Sequence, residues 1–228
     1  MSGRRDPLPI ESYRKRQTQL AYRPRYAFFE LADLVVRDER TLLRYDRLYV
    51  LWQAAANLKS VPGAVAEIGS YRGGSAFFIA SAFVQHVGAE VPMHVFDTFE
   101  GHPADAITEH DPHHQPGQFK TTAYDDVQAL LSPFARLRIH KGDVRLMLPG
   151  LEDSAYRLVH IDTDLYHPTT VCLDYFGPRM SRDGVIVVDD YGSKKCPGVP
   201  KAVGEFIERS NGFQVWDMGT EQLLLIKR

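Results

Sequence analysis

Cysteine is nearly absent from this chain: 228 residues hold two, Cys172 and Cys196, in separate expected elements and in neither a C-x-x-C nor a zinc-type spacing. That pattern argues against a disulfide framework or a cysteine-bound metal and reads as reduced thiols in a cytoplasmic protein. Long apolar runs are missing too. Nothing approaches the roughly 18 consecutive apolar residues of a membrane span. The opening M-S-G-R-R-D-P-L-P carries charge with no apolar segment behind it, so neither membrane insertion nor export by that route is expected. Nor does one sign of charge dominate: 27 Lys and Arg against 29 Asp and Glu leave a net charge of -2. A global attraction to nucleic acid or anionic membrane is thereby excluded, and any charged partner must be recognised locally. The 44% hydrophobic content supports one sizeable domain plus an appendage.

Residues 1–20 scatter Arg4, Arg5, Arg14, Lys15 and Arg16 among Pro7 and Pro9, which reads as a flexible arm. Between about Tyr26 and Leu58, apolar residues recur at helical spacing, with Asp38 a candidate cap between two helices. Residues 1–60 are thus expected to be an arm and a helical cap, and residues 61–228 the main domain. The cap aromatics Tyr26, Phe28 and Phe29 look exposed, which suits a homo-oligomer as well as a monomer that uses them in its own core.

Pro62 and Gly63 break the helical pattern. Strands then follow at Ala64 to Ile68, His94 to Phe96, Leu137 to His140, Arg157 to Ile161 and Val185 to Val188. Helices are expected at Ser75 to His86, Asp125 to Phe134, Thr169 to Met180 and Lys201 to Ser210. Such alternation implies a parallel α/β sheet with right-handed crossovers. The tail differs: F-Q-V-W-D-M and Q-L-L-L-I-K flank Gly219 so closely that they must form an antiparallel hairpin. A mostly parallel seven-stranded sheet closed by that hairpin is a Rossmann-like methyltransferase architecture.

Four carboxylates sit where two of the apolar strands end: Asp162 and Asp164 in V-H-I-D-T-D, Asp189 and Asp190 in V-I-V-V-D-D-Y-G. Carboxyl strand ends are where open α/β sheets bind ligands. Four like charges converging there raise one another's pKa unless a cation lies among them, and a divalent metal is the simplest one. Alternation along the strand puts Asp164 on the same face as Asp162 if the strand persists that far; otherwise Asp164 is a helix cap. Asp189 and Asp190 can share a cation only if their strand has already ended.

The first strand runs into V-A-E-I-G-S-Y-R-G-G-S, whose G-x-x-x-G-G spacing, with Tyr71 inside it, is not the G-x-G-x-x-G of a dinucleotide site. A ligand lacking pyrophosphate fits better. Asp97, thirty positions after Glu67, can accept both ribose hydroxyls of an adenosine. Glu67 adds a negative charge suited to an amino group and a sulfonium, which points to S-adenosylmethionine. Gly142 and Asp143, ending the third strand, either reach adenine or form a surface turn. His110, His113, His114, His160 and His167 lack the helical spacing of a preformed transition-metal site. Tyr166 and Tyr191 follow the acidic motifs and are expected to pack around cofactor or acceptor.

The motifs E-I-G-S-Y-R-G-G, F-D-T-F-E-G-H-P, H-I-D-T-D-L-Y and V-V-D-D-Y-G resemble, in that order, those of the macrocin O-methyltransferase family, from about residue 40 onward. Those enzymes use S-adenosylmethionine and a divalent metal to methylate sugar hydroxyls of antibiotics. The resemblance implies magnesium ligands at Asp162, Asp189 and Asp190 and a general base at Asp164. It places Glu67, Gly69, Ser75 and Asp97 at the cofactor, with Ser70, Tyr71 and Asp162 beside them. It implies a hydroxylated small-molecule acceptor, a glycoside, with no nucleic-acid or membrane partner. Ser70-Tyr71 replaces the family's usual Val-Trp, and residues 109–120, where a mobile lid is expected, match it less well. Two other classes stay open: a metal-dependent hydroxylase or hydrolase on the same sheet, and a non-catalytic cofactor-binding subunit.

Overall fold

The computed structural model describes residues 24–151 and 154–228; the expected N-terminal arm lies outside the described residues. Helices α1 (Pro24–Arg37) and α2 (Tyr45–Asn57) form the cap. Phe28, Phe29, Leu31, Ala32 and Val35 recur on one face of α1 and are buried against Leu48, Leu51 and Trp52 of α2. Phe28 and Phe29 are therefore core residues and not surface aromatics. Phe28 packs edge-on against Trp52, with ring centres 6.0 Å apart. Asp38 caps nothing: α2 starts after Arg44, and Asp46 in its first turn accepts the Arg47 N–H at 3.0 Å.

Strands β1 (Ala64–Ile68), β2 (Met93–Asp97), β3 (Leu137–Lys141), β4 (Tyr156–Ile161) and β5 (Met180–Val188) alternate with α3 (Gly74–Val87), α4 (Tyr124–Leu131), the single turn α5 (Val144–Met147), α6 (Tyr166–Phe176) and α7 (Gly198–Arg209). The hairpin β6 (Phe213–Asp217) and β7 (Leu223–Lys227) completes a seven-stranded sheet in the order β3-β2-β1-β4-β5-β7-β6. The first five strands are parallel, and β7 lies antiparallel to both β5 and β6. Proline sets two of the boundaries that differ from expectation. Pro133 stops α4 at Leu131, and Pro178 ends α6 at Phe176, so that Met180 opens β5 and does not close a helix.

Each face of the sheet is covered. Val65, Leu158 and Val187 meet α1, α2 and α3, so the cap helices share one core with the sheet. Ala66, Val159 and Ile186 meet Cys172 and Phe176 of α6 and Phe206 of α7 on the opposite face. The chain leaves β1 toward β2 and β3 and returns to β4 on the other side of β1. The loops after β1 and β4 therefore diverge and open a crevice at the carboxyl edge. Among the described residues no helix is long and apolar enough to cross a membrane.

Candidate active site

Four non-glycine residues with positive φ mark this edge, one after each of four strands: Tyr71 (51°) after β1, Phe99 (56°) after β2, Asp164 (61°) after β4 and Asp190 (58°) after β5. Left-handed backbone is unfavourable for side chains of this kind, and such strain concentrates at functional sites. Gly69 (φ 85°) is obligatory for another reason: a Cβ there would stand 1.8 Å from the Asp162 carbonyl oxygen. Gly74 serves the cap and not a ligand. Its N–H donates to the Arg40 carbonyl at 3.0 Å, and a Cβ would meet Arg40 backbone at 2.6 Å.

Asp97 organises the loop between β1 and α3. Its Oδ2 accepts the N–H groups of Ser70 and Tyr71, both at 2.8 Å, and its Oδ1 accepts that of Phe99 at 2.7 Å. Burial raises its pKa against the pull of those donors. Asp143 caps α5 through the Arg145 N–H at 2.9 Å and pairs with the Arg145 guanidinium.

Strand β5 ends at Val188, so Asp189 and Asp190 lie beyond the pleat, and the left-handed turn at Asp190 brings both carboxylates to one cation. That cation is Arg47 of α2, whose Nη1 lies 2.8 Å from Asp189 Oδ2 and 3.1 Å from Asp190 Oδ1. Its Nη2 donates to Glu221 in the β6–β7 turn. Strand β4 likewise ends at Ile161, so alternation does not carry to Asp164. The turn at Asp164 places it instead, and it caps no helix, since the N-cap of α6 is Leu165. The loss of water raises the pKa of Asp162, and Asp189, Asp190 and Asp164 raise it further. Asp164 is raised by burial, then by Asp190 and Asp189. Asp189 is raised by burial against the opposing charge of Arg47.

Ligand atoms gather in two groups, each within 4.8 Å: His160, Asp162 and Asp189 in one, Asp164, Asp190 and Cys196 in the other. The three expected metal ligands are thus split between adjacent groups, and His160 joins two of them. Its Nε2 and Asp189 Oδ1 are buried without a partner, as donors awaiting a cation would be. The residues therefore fit a metal ion. Glu67 does not reach the cavity: pleat alternation turns it to the cap face with Val65, where its Oε1 lies 3.1 Å from His160 Nδ1.

A cavity of about 830 Å³ spans this edge and is lined by Gly69, Ser70, Tyr71, Ser75, Asp97, Gly142, Asp143 and all four motif aspartates. It is large for a single small ligand and suits two. Tyr166 and Tyr191 are not in its wall. The Tyr166 hydroxyl donates to Glu205 at 2.7 Å, and Tyr191 packs on the α6–α7 side. The aromatic wall comes instead from Tyr71 against Phe119, with ring centres 6.1 Å apart. Segment 109–120 is tied down: Asp111 accepts the Tyr166 N–H at 2.8 Å, and His114 Nε2 donates to the Lys195 carbonyl at 3.1 Å. Arg47 and Glu221 also line the cavity and escape sequence reasoning, because nothing local distinguishes them from solvated helix and turn residues; His102 lines it too, from within the F-D-T-F-E-G-H-P motif. Both cysteines are free and buried, and Cys196 Sγ lies 3.7 Å from Asp164 Oδ1.

The macrocin-O-methyltransferase (TylF) family model matches residues 39–213. Over 145 residues, 60% of this chain and 56% of the relative, the sequence is 29% identical to the 8-demethyl-8-(2,3-dimethoxy-alpha-L-rhamnosyl)-tetracenomycin-C 4'-O-methyltransferase of Streptomyces olivaceus. It is 26% identical over 163 residues to the mycinamicin III 3''-O-methyltransferase of Micromonospora griseorubida, covering 65% of this chain and 62% of that one. The chain thus matches less than two thirds of the length of either curated relative. The O-methyltransferase NovP superposes with a TM-score of 0.73 at 21% identity over 82% of each chain, a likeness of Rossmann-like fold.

Proposed function

This chain belongs to the macrocin-O-methyltransferase family, and on that premise we propose that it transfers a methyl group from S-adenosylmethionine to a sugar hydroxyl of a glycosylated small molecule, with a divalent cation in the site. The observation that carries the reading is the convergence of Asp162, Asp164, Asp189 and Asp190 in one cavity with the Gly69 to Ser75 loop. Both curated relatives are named as O-methyltransferases, one of them of a rhamnosyl-tetracenomycin, which supports a glycoside acceptor.

A sugar hydroxyl has a pKa far above neutrality, so it needs proton removal and a stabiliser for the developing negative charge. When bound, S-adenosylmethionine supplies an electrophilic methyl group and magnesium a Lewis acid that lowers the hydroxyl pKa. Asp162 and Asp189, with Asp190 from the adjacent group, would hold the cation, and His160 would offer one further ligand atom. Ser70, Tyr71, Ser75, Gly142 and Asp143 form the cofactor wall, with Asp97 at the ribose. Asp164, raised by burial and its neighbours, takes the hydroxyl proton. The segment 109–120, anchored through Asp111, keeps water from the reacting oxygen.

Asp164→Asn tests the assignment: turnover of labelled methyl into a rhamnoside acceptor is lost, while calorimetric affinity for S-adenosylmethionine stays unchanged. Retained turnover removes Asp164 as the base, and a product heavier by oxygen or water replaces methyl transfer by another chemistry.

A further inference from the structure

We propose that His102 is a second catalytic side chain of this site, its Nε2–H donating to the same acceptor oxygen whose proton Asp164 takes. The inference rests on the methyl-transfer reading above and adds a residue to it. His102 is held by its backbone: its N–H donates to the Gln118 carbonyl at 3.1 Å, and its carbonyl accepts the Gly117 N–H at 2.9 Å. Gly101 makes that approach possible, since a Cβ there would lie 2.3 Å from the Gln118 oxygen. The imidazole stands edge-on to His114 and Phe119, with ring centres 5.2 and 5.3 Å away.

Held in this way, the ring lines the cavity with Nε2 buried and without a partner, 3.7 Å from Asp164 Oδ2. That separation is too long for a direct hydrogen bond, and one oxygen set to the side of the line joining the two atoms can lie about 2.8 Å from each. The proton is assigned to Nε2, the tautomer in which the ring donates toward the Asp164 side of the cavity. Burial holds the His102 pKa down at about 4. The ring is therefore a neutral donor that stabilises negative charge without surrendering its proton. In the reaction the hydroxyl O–H bond breaks and its proton passes to Asp164. The oxygen forms the new C–O bond with the methyl carbon. The C–S bond breaks with its electron pair left on sulfur, which turns from sulfonium to thioether, and the His102 N–H stays intact.

The test compares wild type with His102→Phe and His102→Gln, the latter retaining an N–H close to the original position. The probe is a rhamnoside that wild type labels from methyl-labelled S-adenosylmethionine. His102→Phe is expected to lower kcat by about 10²–10³-fold, the loss typical of one oxyanion donor. KM for the rhamnoside and the calorimetric affinities for S-adenosylmethionine and magnesium stay as in wild type, and His102→Gln recovers most of the rate. Wild-type kcat in His102→Phe overturns the proposal, and so does a loss of affinity that matches the loss of rate. If His102→Phe fails to fold, imidazole proton–nitrogen correlation spectra of the wild-type chain at neutral pH decide: a neutral ring protonated at Nε2 supports the proposal, and a bare Nε2 or an imidazolium overturns it. Turnover lost in Asp164→Asn but kept in His102→Phe removes His102 alone. Turnover kept in Asp164→Asn removes the base and this pairing with it.

Discussion

Replacing Arg47 with methionine removes a guanidinium that is 12% exposed and bridges Asp189, Asp190 and Glu221, yet keeps most of the buried stem. Taking one partner from a buried ion pair costs about 3–5 kcal/mol, because the other charge remains uncompensated. For a domain of this size each kcal/mol moves Tm by about 2–4 °C, so the melting point measured without metal should fall by about 6–20 °C. The loss should depend on pH. Asp162, Asp164 and Asp189 have folded pKa values raised above an ordinary 3.8. Carboxyls of this kind favour the folded state below the unfolded value, and that advantage disappears as pH rises through the folded value. Toward pH 5 protonation of these raised carboxyls makes the variant's loss smaller, and toward pH 8 their ionisation without a counter-charge makes it larger. Magnesium should then raise Tm more in Arg47→Met than in wild type, since it replaces the missing cation. The assay is thermal unfolding by circular dichroism at both pH values, with chelator and with magnesium. Equal losses at both pH values, or no difference in the magnesium response, would refute the account.

Gly74→Ala should destabilise by about 1–3 kcal/mol in urea unfolding, even though alanine is the better helix former, because its Cβ meets Arg40 backbone. A gain in stability would show that the cap loop yields at no cost. Asp111→Ala removes the acceptor for Thr108 N–H, Thr108 Oγ1 and Tyr166 N–H, at 2.9, 2.8 and 2.8 Å. At about 0.5–1.5 kcal/mol each, the loss is about 1.5–4.5 kcal/mol, together with faster proteolysis within residues 105–120. Wild-type protease resistance would count against Asp111 as the anchor.

The strands and the hairpin were legible because β-branched runs and the short Gly219 connection have few other structural solutions, and the acidic pairs could be placed at strand ends for the same reason. Their mutual geometry was not legible. Period-2 alternation stops at Ile161 and Val188, and the left-handed turns that aim Asp164 and Asp190 carry no glycine to announce them. Arg47 sits on a polar helix face, like any solvated arginine, and meets Asp189 across 142 residues of sequence. Phe28 and Phe29 needed knowledge of the partner helix, and Glu67 was misdirected because an acid at a strand end can face either side of the sheet. His102 stands in a loop whose pairing with residues 117–118 has no periodic signature.

The four left-handed residues on the rim also say how this protein would drift under artificial selection. At Tyr71, Phe99, Asp164 and Asp190 the conformation costs about 1–2 kcal/mol relative to glycine, and each side chain offsets that cost by what it does in the cavity or the core. A library selected only for heat resistance should therefore accumulate glycine at these positions while its catalytic competence falls. The places where selections for stability and for turnover disagree would trace the outline of the active site without any substrate having been identified.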